Sequence, residues 1–191
     1  ALESRSATCL QVPPRTACVG SVIYAYQSHI ELARCTVRDT RGGRAGAVQM
    51  HMSTGNITNC TFARLEAYAA SAIYVYTGSS LSVDSSLFHD NYARGMATVF
   101  ACAFFPLPLK RQNPRHRLFV FFSLADSDSH LELRDSTFTS NRGNAVWLVF
   151  GSHTLAANTV RGSIGSSISG GADLNVFSAD ATVSDCRFSN S

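Results

Sequence analysis

Residues 81–91 read LSVDSSLFHDN, and residues 131–141 read LELRDSTFTSN. Both alternate apolar and polar residues, turn through Asp and Ser, and close on Phe-x-x-Asn. Weaker copies are IELARCTV (30–37), NITNCTF (56–62), TLAANTV (154–160) and ATVSDCRF (181–188). The apolar residues closing these copies are Val37, Phe62, Phe88, Phe138, Val160 and Phe188, spaced by 25, 26, 50, 22 and 28 residues. Self-similarity at a fixed short period is the signature of a repeat architecture.

A second segment recurs between the copies: SVIYAY (21–26), GAVQMH (46–51), SAIYVY (71–76), MATVF (96–100), AVWLVF (145–150) and ADLNVF (172–177). All are short, alternating, and rich in β-branched or aromatic residues, so each reads as a strand. Gly, Ser, Asn and Asp clusters separate them as turns. No stretch sustains a helical period. Short strands at a period near 25 predict an all-β fold, a parallel β-helix (solenoid) of about six to seven rungs of 22–28 residues. A β-sandwich is the rival, but it would not return similar residues to one place in every period.

Alternation assigns faces. In the second segment the expected inward pairs are Ile23/Ala25, Val48/Met50, Ile73/Val75, Ala97/Val99, Trp147/Val149 and Leu174/Val176. In the first, the closing residues form the inward column. Two positions earlier lies a column of small or polar residues: Cys35, Cys60, Ser86, Ser136, Asn158 and Cys186. Cys35 and Cys60 fall on adjacent rungs, so a disulfide and a pair of buried thiols are both open. The other cysteines are Cys9, Cys18 and Cys102, and no Cys/His spacing matches a zinc module.

The 50-residue interval is twice the norm. Removing residues 101–126 restores the usual five-residue step between strands, so this segment reads as an insertion. It holds five of the twelve phenylalanines and a basic tip, KRQNPRHR (110–117). A loop contacting an anionic partner, an extra degenerate rung, and translated noncoding sequence are the alternatives. The insertion also localises the charge. The chain carries a formal +3, and Lys110, Arg111, Arg115 and Arg117 against Asp126 supply all of it. The rest is neutral, which argues against nucleic acid as a partner. The 191 residues suit one domain, with 45% hydrophobic and 15% charged residues. No apolar run is long enough to span a membrane as a helix. The missing solenoid caps predict a fragment of a longer chain, with neighbouring domains or caps supplied elsewhere.

The repeat resembles the polymorphic outer membrane protein repeats of chlamydiae, marked by FxxN and GGA(I/L/V) tetrapeptides. Here FxxN stands as Phe88-His89-Asp90-Asn91 and Phe138-Thr139-Ser140-Asn141. Relaxed forms of the second motif are Ala45-Gly46-Ala47-Val48, Ala70-Ser71-Ala72-Ile73 and Gly170-Gly171-Ala172-Asp173. The resemblance covers residues 20–100 and 127–191. It implies a right-handed β-helix, an extracellular or cell-surface location, and adhesive or scaffolding use without a cofactor. The sequons Asn56-Ile57-Thr58 and Asn59-Cys60-Thr61 make Asn56 and Asn59 candidates for glycosylation on a secretory route.

Three groups are candidate sites. Tyr26, His51, Tyr76, Phe100, Phe150 and Phe177 close the second strands facing outward, with Tyr24 and Tyr74 beside them. Such an aromatic strip suits a sugar ring or a protein partner, unless loops or the insertion cover it. Pectin-lyase-like β-helices also include polysaccharide lyases and glycoside hydrolases, which need clustered carboxylates. Asp135 and Asp185 share a column, but Arg34, Asn59 and Ser85 fill its other places, and no catalytic residue is assigned. His29 and His130 share a turn column with His153 nearby, and no metal site is assigned. Asn91 and Asn141 form a column suited to amide hydrogen bonds along the axis. The expectation is a non-catalytic scaffold that binds a glycan or a cell-surface protein. A fragment of a polysaccharide-cleaving enzyme is the alternative.

Overall fold

The computed structural model describes residues 22–43, 45–102, 129–162, 173–177 and 179–189. Every regular element among them is a β-strand. The strands stack into three parallel sheets, and the chain winds through the sheets in turn, about five times.

The first sheet contains β1 (Ile23–Tyr26), β4 (Val48–His51), β8 (Ala70–Tyr76), β11 (Tyr92–Cys102), β14 (Arg142–Val149) and β17 (Leu174–Phe177), with the short β7 (Glu66–Ala67) against β11. The second contains β2 (His29–Ala33), β5 (Thr54–Thr58), β9 (Ser80–Asp84), β12 (His130–Arg134), β15 (Ser152–Ala156) and β18 (Asp180–Ser184). The third contains β3 (Thr36–Arg38), β6 (Thr61–Ala63), β10 (Leu87–His89), β13 (Thr137–Thr139), β16 (Thr159–Arg161) and β19 (Arg187–Ser189). The repeat thus builds a parallel β-solenoid, with slightly fewer turns than the anchors suggested.

Each copy of the first repeat segment is two strands, not one. They are divided by a left-handed residue at Arg34, Asn59, Ser85, Asp135, Ala157 and Asp185. The other corners turn the same way, at Gln27, Met52, Thr77 and Phe150, and at Asp39, Arg64, Asp90, Ser140 and Gly162. All these φ angles lie between 45° and 57°. A left-handed non-glycine residue costs roughly 1–2 kcal/mol, so every corner but that at Gly162 needs compensation.

Hydrogen bonds running up the axis supply it. Ser28 N–H donates to Ser53 Oγ and Ser53 N–H to Ser79 Oγ, both at 3.2 Å. At the second corner Cys35 N–H donates to Cys60 Sγ (3.4 Å), Cys60 N–H to Ser86 Oγ (3.1 Å), Ser86 N–H to Ser136 Oγ (3.2 Å), and Ser136 N–H to Asn158 Oδ1 (3.0 Å). At the third, Leu65 and Asn91 N–H donate to Asn91 and Asn141 Oδ1, both at 3.0 Å. The amide nitrogens of Asn91 and Asn141 return to Phe62 O and Phe88 O at 2.9 and 3.0 Å. The small polar column and the FxxN motif are therefore corner devices. Cys35 and Cys60 are not joined in a disulfide.

The inward column Val37, Phe62, Phe88, Phe138, Val160 and Phe188 is in register across the third sheet. Phe62, Phe88 and Phe138 stack with centroids 5.0 and 4.6 Å apart and planes within 8°. Direct pairing of Phe88 with Phe138 and Leu81 with Leu131 leaves no extra rung between them.

Two inward pairs differ from the sequence reading. Val99 and Ala101 face the core in place of Ala97 and Val99, because the β8–β11 pairing slips by one residue between Ala97 and Val99. Val146 and Leu148 face it in place of Trp147 and Val149, which join a separate outer cluster with Tyr74 and Tyr76. The stretch AVWLVF is apolar throughout, so alternation could not fix its phase. Ala101 and Cys102 belong to β11 and not to the insertion, whose other residues, 103–126, lie outside the described ones.

Candidate functional site

The solenoid offers its outward strand faces. On the first sheet, one column of strand positions in register runs Tyr24, Gln49, Tyr74, Phe100, Trp147 and Asn175. The other runs Tyr26, His51, Tyr76, Cys102, Val149 and Phe177. The expected aromatic row is thus split. Tyr26, His51, Tyr76 and Phe177 share a column, Phe100 lies in its neighbour, and Phe150 turns the corner after β14.

Exposure divides the row further. Tyr24 is 57% exposed and Tyr26 48%, while Tyr74 and Tyr76 are buried. His51 links the two halves. Its ring meets Tyr26 edge-on at 5.1 Å and stacks on Tyr76 at 4.8 Å. Gln49 Nε2 donates to Tyr76 OH at 3.1 Å. Burial holds the His51 pKa below its ordinary value, so the imidazole is neutral near pH 7. The accessible part is a small platform of Tyr24, Tyr26, Gln49 and His51. Two rings supply apolar faces, and amide and imidazole supply polar edges.

The second sheet presents a different chemistry. A shallow groove of about 140 Å³ is lined by Thr54, Asn56, Ser80 and Ser82, with His29 at one end and His130 and Glu132 at the other. His29 Nδ1 meets Thr54 Oγ1 at 2.8 Å, and Glu132 pairs with Arg134 and accepts from Ser82 Oγ at 3.4 Å. The depression exists because small residues fill two rungs between rungs carrying long side chains. Thr54, Ser80, Ser82 and Glu132 were not singled out from the sequence, although period-2 alternation already places them outward.

The remaining candidates separate in space. Asn56 is exposed on the outer face of β5, and Asn59 is exposed at a corner with φ 52°. His29 and His130 share a column three strands apart, and His153 sits inward. Among the described residues, no group of three or more His, Cys, Asp or Glu could hold a metal ion. Asp135 and Asp185 occupy exposed corners with Ala157 between them. Several arginines of the first rungs are paired with carboxylates. Arg64 grips both Asp39 carboxylate oxygens at 2.7 and 2.8 Å and holds its pKa low. Glu66 pairs with Arg41 and Arg94. Burial raises its pKa, but the two guanidiniums outweigh that and keep it below the usual range.

Among the described residues no helix is long and apolar enough to cross a membrane. No family model, curated protein or solved structure matches the chain.

Proposed function

We propose that this chain is a non-catalytic segment of a secreted or cell-surface β-helix protein that binds a glycan or a surface protein through its first sheet. The observation that carries the reading is the exposure of Tyr24 and Tyr26 beside Gln49 and His51. Flat aromatic faces with polar edges suit sugar rings and protein side chains alike. The FxxN repeats support a surface role of the kind the chlamydial repeats suggest, within the broader pectin-lyase-like class.

A glycan array and a cell-binding assay on the full chain test this. Replacing Tyr24 and Tyr26 by Ser is expected to weaken binding by about tenfold per ring while the protein stays folded. Binding that survives the double substitution in a folded protein would reject the site.

A further inference from the structure

His153 lies in an otherwise apolar inward column: Ile30, Gly55, Leu81, Leu131, His153 and Ala181. It is 1% exposed. Both ring nitrogens are engaged by backbone. Leu131 N–H donates to Nδ1 at 3.2 Å, and Nε2 lies 2.7 Å from Phe150 O. A backbone N–H can only donate and a carbonyl can only accept. Nδ1 is therefore bare, Nε2 carries the proton, and the ring is neutral.

We propose that His153 is an acid-sensitive joint that seats β15 on β12. Protonating Nδ1 would set two N–H donors against each other at 3.2 Å, so the ring cannot charge without leaving Leu131. The surroundings offer no relief. On β12, His130 opposes a second positive charge, and Glu132 lies on the outer face paired with Arg134. On β18 the facing residue is Ala181, with Asp180 turned to the outer face opposite Ser152. The corner at Phe150 and Gly151 carries no ionisable side chain. Burial, opposed by the Phe150 bond and reinforced by His130, lowers the His153 pKa.

The sign follows from proton linkage. The unfolded chain binds a proton near pH 6.5, and the folded chain only at lower pH. Stability from this group is full above 6.5 and falls as pH drops toward the folded value. The unfolding constant of the full chain is expected to rise by up to about tenfold per pH unit in that window. His153→Gln, which can accept and donate but does not titrate there, is expected to lose one proton's worth of this slope. An NMR titration of His153 in the wild-type protein needs no variant and is expected to give a midpoint below 6.5. A folded midpoint at or above 6.5, or an unchanged slope in a folded His153→Gln protein, would overturn the proposal.

Discussion

At position 60 a thiol takes the place that Ser86 and Ser136 fill on later rungs. Cys60 Sγ accepts from Cys35 N–H, and its single S–H lies within reach of two backbone carbonyls, Thr58 O at 3.3 Å and Leu32 O at 3.5 Å. The residue acts as a weak hydroxyl in a buried corner. Cys60→Ser keeps that pattern and is expected to stay within about 1 kcal/mol of wild type. Cys60→Ala orphans the buried Cys35 N–H and is expected to cost about 1–3 kcal/mol. Urea unfolding of the three proteins makes the comparison. Equal midpoints for Ser and Ala would mean the sulfur contributes only packing. The same geometry explains why position 35 and position 60 carry thiols rather than a cross-link. Each sulfur meets backbone rather than the other sulfur: Cys35 Sγ donates to Ala33 O at 3.4 Å, and Cys60 Sγ reaches across the rung to Cys35 N–H and Leu32 O.

Among the elements, corners rather than strands hold most of the specific chemistry. Asn141 satisfies Asn91 N–H and Phe88 O at once. Asn141→Ala removes the acceptor of the buried Asn91 N–H and one donor to Phe88 O, and is expected to cost about 1–3 kcal/mol. The adjacent exposed Ser140→Ala is expected to change stability by less than about 0.5 kcal/mol. Thermal melts of both variants check this. A small effect at Asn141 would show that water or relaxation replaces the ladder. The Asn column was legible because FxxN recurs verbatim, and the phenylalanine column because its neighbours are polar. The three-sheet division was not legible, because left-handed corners at Arg34 and Ala157 use residues with no turn signature. The outward position of Tyr24 and Tyr26 was readable from alternation. The burial of Tyr74 and Tyr76 was not, since periodicity along one strand says nothing about what lies against its face.

At the scale of the whole molecule, the main contacts among the described strands are between neighbouring rungs, so stability is approximately a sum of local terms along the axis. Burial grades accordingly. Phe88 and Phe138 are fully buried, while Phe188, in the same column, is 43% exposed. Val83 and Leu133 are likewise buried, and Val183 in their column is 43% exposed. A residue covered by rungs on both sides loses contacts to both when truncated, whereas one covered on a single side loses half as many. Phe138→Ala is therefore expected to cost about 3–5 kcal/mol, and Phe188→Ala less than half of that. Hydrogen exchange should show the same gradient. The amides of β10 and β13 should exchange only through global unfolding, and those of β18 and β19 through local opening at lower free energy. If Phe188→Ala costs as much as Phe138→Ala, and β19 is protected as strongly as β13, the solenoid unfolds as one cooperative block and the nearest-neighbour picture fails.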